Sequence, residues 1–278
     1  MRAVNSRMGR VLLVAAVCAL AWGCGQQTYE QRLAESQKYF AYILKLDSNL
    51  APAWKSLPVE ELRVPLQFRE IKKPAQVKDA DGKLVDPEID PRQPDYLALK
   101  IPGLWGTWEA PFTVVVDGQP ANRKGYLYCV SNAAMLLKSD EAARAPDFIK
   151  DLLVLIAEKL SVPQLDFATA GERQTHPRSQ GYSMQNNFDV FLFQGDSLRI
   201  DGVPYTFEIF AHYQGPVQAA LVLVRPVGID STARLDERVT LMLERFKLSS
   251  KAPMGAAKPA GGSAGGATPA GPAPATSF

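Results

Sequence analysis

Histidine is the scarcest chemistry-bearing residue in this chain, and its scarcity closes off most catalytic and metal chemistry. Of 278 residues only His176 and His212 are histidines, and neither has a partner at the spacing of an H-E-x-x-H zinc helix. Glycine-rich phosphate loops are also missing. The pairs Gly261-Gly262 and Gly265-Gly266 fall in an Ala/Gly/Pro tract with no helix to follow them, so a nucleotide fingerprint is excluded. The acidic residues Asp79, Asp81, Asp86, Glu88, Asp90 and Asp95 do not fit the twelve-residue spacing of a calcium loop. No metal ligand set, no cofactor and no catalytic constellation is expected.

A bilayer-length hydrophobic run is absent as well. The longest one, Val11 to Ala21, is shorter than the roughly 20 residues a transmembrane helix needs. It follows Arg2, Arg7 and Arg10 and precedes Trp22-Gly23-Cys24, which is the pattern of a secretory signal. Taking those three arginines from the 31 basic side chains leaves 28 against 29 acidic ones. A near-neutral chain without basic clusters has no electrostatic footprint for nucleic acid, so that partner is excluded.

The run Leu20-Ala21-Trp22-Gly23-Cys24 resembles the lipobox of bacterial lipoproteins, with Ala21 where leucine is usual and Trp22 bulky for its position. The resemblance implies acylation of Cys24, which becomes the mature N-terminus and ties the protein to a membrane. Ordinary signal cleavage and an uncleaved anchor are the alternatives. Gly25 after the cysteine, where some lipoproteins carry an inner-membrane aspartate, implies the periplasmic face of the outer membrane in a two-membrane cell. Cys18 then leaves with the signal and Cys24 is blocked. Cys129 alone remains, in the apolar run Tyr126–Val130, where it reads as a buried structural thiol.

The rest of the chain divides into a tether with an amphipathic helix (24–58), a globular α+β domain (59–249) and a disordered tail (250–278). In the first helix Leu33, Phe40, Ile43, Leu44 and Leu50 recur near helical spacing, which suits packing on the domain or a partner helix better than rest on the membrane, because the polar side is not strongly cationic. Leu62 to Phe68 alternates as an edge strand, and 72–95 reads as a loop. Tyr96–Ile101, Phe112–Val116 and Tyr126–Val130 are strand candidates, with a turn at Asp117-Gly118. Short helical pieces start at Ser131-Asn132 and Ser139, and a helix spans Pro146–Leu160. A polar loop is expected over 169–186, with His176 in it, and His212 is placed near a hairpin turn; both read as solvated. Strands follow at Phe188–Phe193, Tyr205–Tyr213 and Val217–Arg225, the last two joined at Gln214-Gly215-Pro216. Ala219–Val224, apolar on both faces, reads as a covered central strand, and a helix over Leu235–Phe246 closes the domain. The fold class is therefore an antiparallel or mixed sheet with helices packed on it.

This order of elements, from Leu62–Phe68 through the helical middle to the Tyr205–Arg225 hairpin and the closing helix with Lys247-Leu248, resembles the PsbP-like α/β/α sandwiches. That family includes an extrinsic photosystem protein and certain bacterial lipoproteins; the loops at 72–95 and 169–186 depart from it. The resemblance implies a binding or accessory role and carries over no site residue.

Two tryptophans three residues apart, Trp105 and Trp108, are the binding candidates, since such rings stack on sugars or on a partner, although both also suit a core. The expected function is a non-catalytic envelope lipoprotein that binds an envelope protein or polymer. The alternative is a lipid-anchored hydrolase, drawing on a grouping such as Ser179 or Ser183 with His176 and Asp189. The anchor is directly testable. Cys24→Ser removes the acylated thiol, so metabolic labelling with a fatty acid should be lost and the uncleaved precursor should accumulate. Equal labelling of mutant and wild type would sink the lipoprotein reading.

Overall fold

Ten residues from Val217 to Pro226 offer almost nothing but apolar side chains to either side, and such a strand is stable only when covered on both faces. It lies at the middle of the main sheet. A computed structural model describes residues 28–97, 99–116, 118–162, 171–178 and 181–249. The expected signal, Cys24 and the tail from 250 lie outside them.

The chain begins with α1 (28–49). It continues through β1 (Trp54–Ser56), β2 (Val59–Leu62), β3 (Arg69–Glu70), the small hairpin β4 (Val77–Lys78) and β5 (Leu84–Val85), then the long strands β6 (Leu104–Val116) and β7 (Gln119–Ser131). Helices α2 (Ala133–Leu136) and α3 (Phe148–Lys159) come next. They are followed by β8 (Glu172–His176), β9 (Asn186–Ile200), β10 (Val203–Gln214), β11 (Val217–Pro226), α4 (Leu235–Arg245) and β12 (Lys247–Leu248).

The main sheet has seven strands in the order β3-β6-β7-β11-β10-β9-β8, and every pair in it is antiparallel. The order has a simple logic. The segment holding α2 and α3 carries the chain from β7 to the far edge at β8, and the chain then meanders back through β9 and β10 until β11 meets β7. A second antiparallel sheet, β1-β2-β12, lies beside the first. The fold is α+β, as the sequence pattern predicts.

Alternation along the strands sends side chains to two separate cores. Tyr205, Phe207, Ile209 and Ala211 of β10, with Ala220, Val222 and Val224 of β11, face α3 through Ile149, Leu152, Leu153 and Ile156. Leu221 and Leu223 of β11, with Leu127 and Cys129 of β7, face α4 through Leu235, Val239, Met242 and Leu243. Leu46 and Leu50 at the end of α1 join this second core, so it begins upstream of residue 59. Each such leucine or valine, fully buried, contributes roughly 1.5–3 kcal/mol. The Asn186 amide donates to the Leu243 and Phe246 carbonyls at 3.2 and 2.7 Å, satisfying the open end of α4.

Three expected elements differ. Leu62–Phe68 is not one strand: β2 ends at Leu62, and the backbone at Ala51 and Leu66 bonds instead across to Val64 and Asn49 at 2.8 and 3.0 Å. The alternation holds only in part: Leu62, Val64 and Phe68 are buried, but Leu66 is 46% exposed and Pro65 is buried in its place. Tyr96–Ile101 is not a strand either; Asp95–Leu97 is a 3₁₀ turn, and the Gln93 amide bonds both backbone groups of Ile101, at 2.7 and 3.3 Å. The polar stretch expected as a loop over 169–186 contains β8, a sheet edge made by Glu172–His176.

The β7–β11 seam ends in a buried polar clip. The Asn132 amide donates to the carbonyls of Ala145 and Pro216 at 2.9 and 3.0 Å, and its Oδ1 accepts from the Gln218 backbone at 2.9 Å. Gln218 in turn donates from Nε2 to the Pro146 carbonyl at 2.6 Å and accepts at Oε1 from the Ile149 backbone N–H, fixing the start of α3. Removing a partner leaves buried groups unpaired at about 1–3 kcal/mol each. Asn132→Ala should therefore lower stability by about 3 kcal/mol, read as a melting temperature lower by ~10 °C. Asn122→Ala, at an exposed hairpin position, should move it little. Equal melting temperatures for the two variants would remove the clip's structural role.

Candidate functional site

Trp105 and Trp108 occupy different environments, and β6 carries one extra residue against the register of its partner strand. Leu104 pairs with Val130 and Gly106 with Cys129, so β6 bulges at Trp105 while β7 does not. Downstream of the bulge Trp108 points into the core and is 2% exposed. Trp105 stays half-buried and lines an open cleft of about 510 Å³. The expected pair is thus divided: Trp105 lines the cleft, and Trp108 lies in the core.

A third ring completes the cleft. Trp54 of β1 meets Trp108 edge-on, with ring centres 5.2 Å apart, and its indole N–H donates to Glu70 at 3.1 Å. Gly106 leaves room for both rings. A Cβ there would lie 2.5 Å from Trp108 and 3.1 Å from Trp54. Lys55, Ser56, Lys73 and Arg92 supply the polar rim. Every tryptophan of the described chain therefore meets at one place.

A second hollow of about 460 Å³ adjoins it, sharing Ile71 and Arg92 as a common wall. Tyrosines line this one. Tyr96 stacks on Tyr126 at 4.9 Å, Tyr126 on Tyr128 at 6.2 Å, and the Tyr96 and Tyr128 hydroxyls hydrogen-bond at 2.8 Å. Burial pushes all three phenols up, Tyr126 to about 12 with help from the Asp95, Glu109 and Asp201 charges, so they remain neutral hydrogen-bonding groups. Arg92 is clamped on Asp90 by contacts of 2.7 to 3.1 Å, Lys73 pairs with Asp86 at 3.1 Å and Lys124 with Glu109 at 2.8 Å. The rim charges are largely paired. Aromatic faces with neutralised polar edges suit an uncharged, hydroxyl-rich ligand better than an anion.

Trp54 and the tyrosines are absent from the sequence-level candidates. Tyr126 and Tyr128 did carry a signal, the period of two that puts both on one strand face. Trp54 carried none, since β1 is too short to show a pattern.

The histidines, expected in solvent, are buried. His176 and His212 are 3% and 7% exposed and surround Phe188 with Phe246, the ring centres lying 5.1 to 6.1 Å apart. Strand β8 carries polar residues because it is an edge, with Thr175 bonded to Asn187 and Arg173 to Asp189 across the pair. His212 donates from Nδ1 to the Asn187 carbonyl at 2.8 Å, and His176 meets Gln174 at 3.3 Å. Ser183 is engaged by Tyr42 at 2.9 Å and Arg245 at 3.4 Å. Ser183, His176 and Asp189 thus each have other partners, and Ser179 lies outside the described residues. Cys129 is fully buried, and burial pushes its thiol up to about 12, which makes it inert. Among the described residues no group of three or more metal-ligating side chains comes together, and no helix is long and apolar enough to cross a membrane.

Compared with known proteins, the chain matches no protein-family model and no curated sequence.

Burial lowers the His212 and His176 imidazoles from their ordinary values; at His212 the Asn187 carbonyl opposes this. In the unfolded chain both take up a proton near pH 6.5, while the folded protein resists until lower pH. Between those limits the unfolded state binds more protons, so stability falls as pH drops below about 6.5. The melting temperature should be lower at pH 5.5 than at pH 7.5. In His212→Asn, which keeps a donor for the Asn187 carbonyl, the drop should be smaller. A profile unchanged by this substitution would show that His212 does not titrate in this window.

Proposed function

We propose that the protein is a lipid-anchored envelope protein with a non-catalytic role, tethered at Cys24 to the periplasmic face of the outer membrane and binding a sugar polymer of the envelope. The observation that carries the ligand is the pair of adjoining hollows. One is floored by Trp54 and Trp105, the other by Tyr96, Tyr126 and Tyr128, with Arg92 and Ile71 between them. Consecutive aromatic seats separated by a shared wall suit a repeating ligand, one unit on each. Paired rim charges favour neutral rings over nucleic acid or phosphate. The anchor rests on the lipobox-like segment alone, and the accessory character also on the resemblance to PsbP-like sandwiches, which fold by itself does not convert into a function.

The test is binding of the purified protein to isolated envelope glycan, by sedimentation and by change in tryptophan fluorescence. Trp105→Ala should weaken binding about tenfold or more, which corresponds to roughly 1.4 kcal/mol, and leave the melting temperature almost unchanged because Trp105 is outside the core. Undiminished binding by this variant would remove the cleft as the seat. Release of soluble glycan fragments on incubation would favour the hydrolase instead.

A further inference from the structure

Helix α1 carries, from its first turn to Leu44, large apolar side chains that the described residues of the domain leave exposed. Tyr29, Leu33, Phe40 and Leu44 are 68%, 47%, 63% and 69% exposed. Their spacing of four, seven and four residues puts them on one face of the helix. The domain holds a different face. Leu46 is buried, Tyr42 bonds Ser183 at 2.9 Å and Glu244 at 3.3 Å, and Lys45 pairs with Glu237 at 3.1 Å. At 3.6 residues per turn, Tyr42 and Leu46 lie roughly 140° around the helix from the exposed stripe. A flat surface can therefore meet the stripe while the domain stays on the other side.

We propose that this stripe lies in the lipid surface to which Cys24 is attached, so that α1 rests along the membrane and sets the orientation of the domain above it. The proposal rests on the Cys24 anchor. Only Gly25, Gln26 and Gln27 separate Cys24 from the first residue of α1, and four chain steps reach at most about 14 Å. Tyr29 is thereby confined near the headgroups. From Tyr29 to Leu44 the helix runs about 22 Å, so only a helix lying down brings Phe40 and Leu44 to the lipid as well. A second copy is a poorer occupant. The stripe spans little more than two heptads with Ser36 at its middle, short of the three to four that a coiled coil sustains. Glu30, Arg32, Glu35 and Lys38 balance in sign, so the attraction is apolar and should need no anionic lipid.

The test uses the full acylated protein in phosphatidylcholine vesicles, with and without brominated acyl chains. Phe40→Trp puts a fluorophore in the stripe, and Lys38→Trp puts one on the opposite, solvent-facing side; wild-type emission supplies the background. Brominated lipid should quench the signal added by Phe40→Trp at least twofold and leave that added by Lys38→Trp unchanged, at low and high salt alike. Equal behaviour at both positions in protein that floats with the vesicles would overturn the inference and leave the anchor standing. Protein that does not float would overturn the anchor reading and the inference with it. Absence of quenching together with cross-linked dimers would assign the stripe to a second copy.

Discussion

The fold depends on one long-range pairing, that of β7 with β11. Within the main sheet, β3, β6 and β7 form a hairpin with an edge strand, and β8 to β11 form a meander; neither half can cover its own apolar faces. Six registered pairs from Ala219–Ser131 to Val224–Tyr126 join them. The partners lie about ninety residues apart in sequence, so loop-closure entropy opposes the join and must be offset by burial on both faces. Asn132 and Gln218 make the join specific. Their amides tie the end of β7, the β10–β11 turn and the start of α3 to one point, and a strand slipped by one residue loses those bonds and turns the wrong faces to each core.

Elements that bury a face through their own periodicity were legible in the sequence. The doubly apolar Ala219–Val224, the Tyr205–Ala211 face, the Phe148–Lys159 helix and the closing helix with Leu235, Val239 and Met242 all stand where their patterns put them. Cys129 is the buried thiol its neighbours imply. The N-terminal helix is present too, but only its last turns pack on the domain, because its apolar residues form two faces and the domain covers one.

Elements held by side chains of distant residues were not legible. Alternation in Leu62–Phe68 reports the burial of Leu62, Val64 and Phe68 but not the exposure of Leu66, and it misplaces the pairing, since Pro65 has no N–H to give and the neighbouring backbone finds the end of α1. Ile101 is satisfied by the Gln93 amide in place of a strand, which no local pattern announces. Strand β8 is hidden by its polarity. An edge facing solvent needs no apolar alternation, so Glu172–His176 reads as loop until Asn186–Val190 is laid beside it. The same blindness misplaces the histidines, whose burial is created by Phe188 and Phe246 from other elements.

The cleft shows why the tryptophan spacing was informative and incomplete. In a regular strand, residues three apart face opposite sides, which leaves no reason for Trp105 and Trp108 to serve one surface. The bulge interrupts that alternation at Trp105, and Gly106 leaves room for the Trp54 and Trp108 rings beside it. Trp54, held edge-on by the buried Trp108, loses little entropy when a ligand stacks on it, because it is already ordered. Burial of Trp108 therefore fixes Trp54, and the half-buried Trp105 adds a second ring to the same cleft. Such a cleft discriminates by shape and by hydroxyl geometry more than by charge. That follows from three of the four rim cations, Lys73, Arg92 and Lys124, being committed to Asp86, Asp90 and Glu109, which leaves the aromatic surfaces as the main source of binding energy in both hollows.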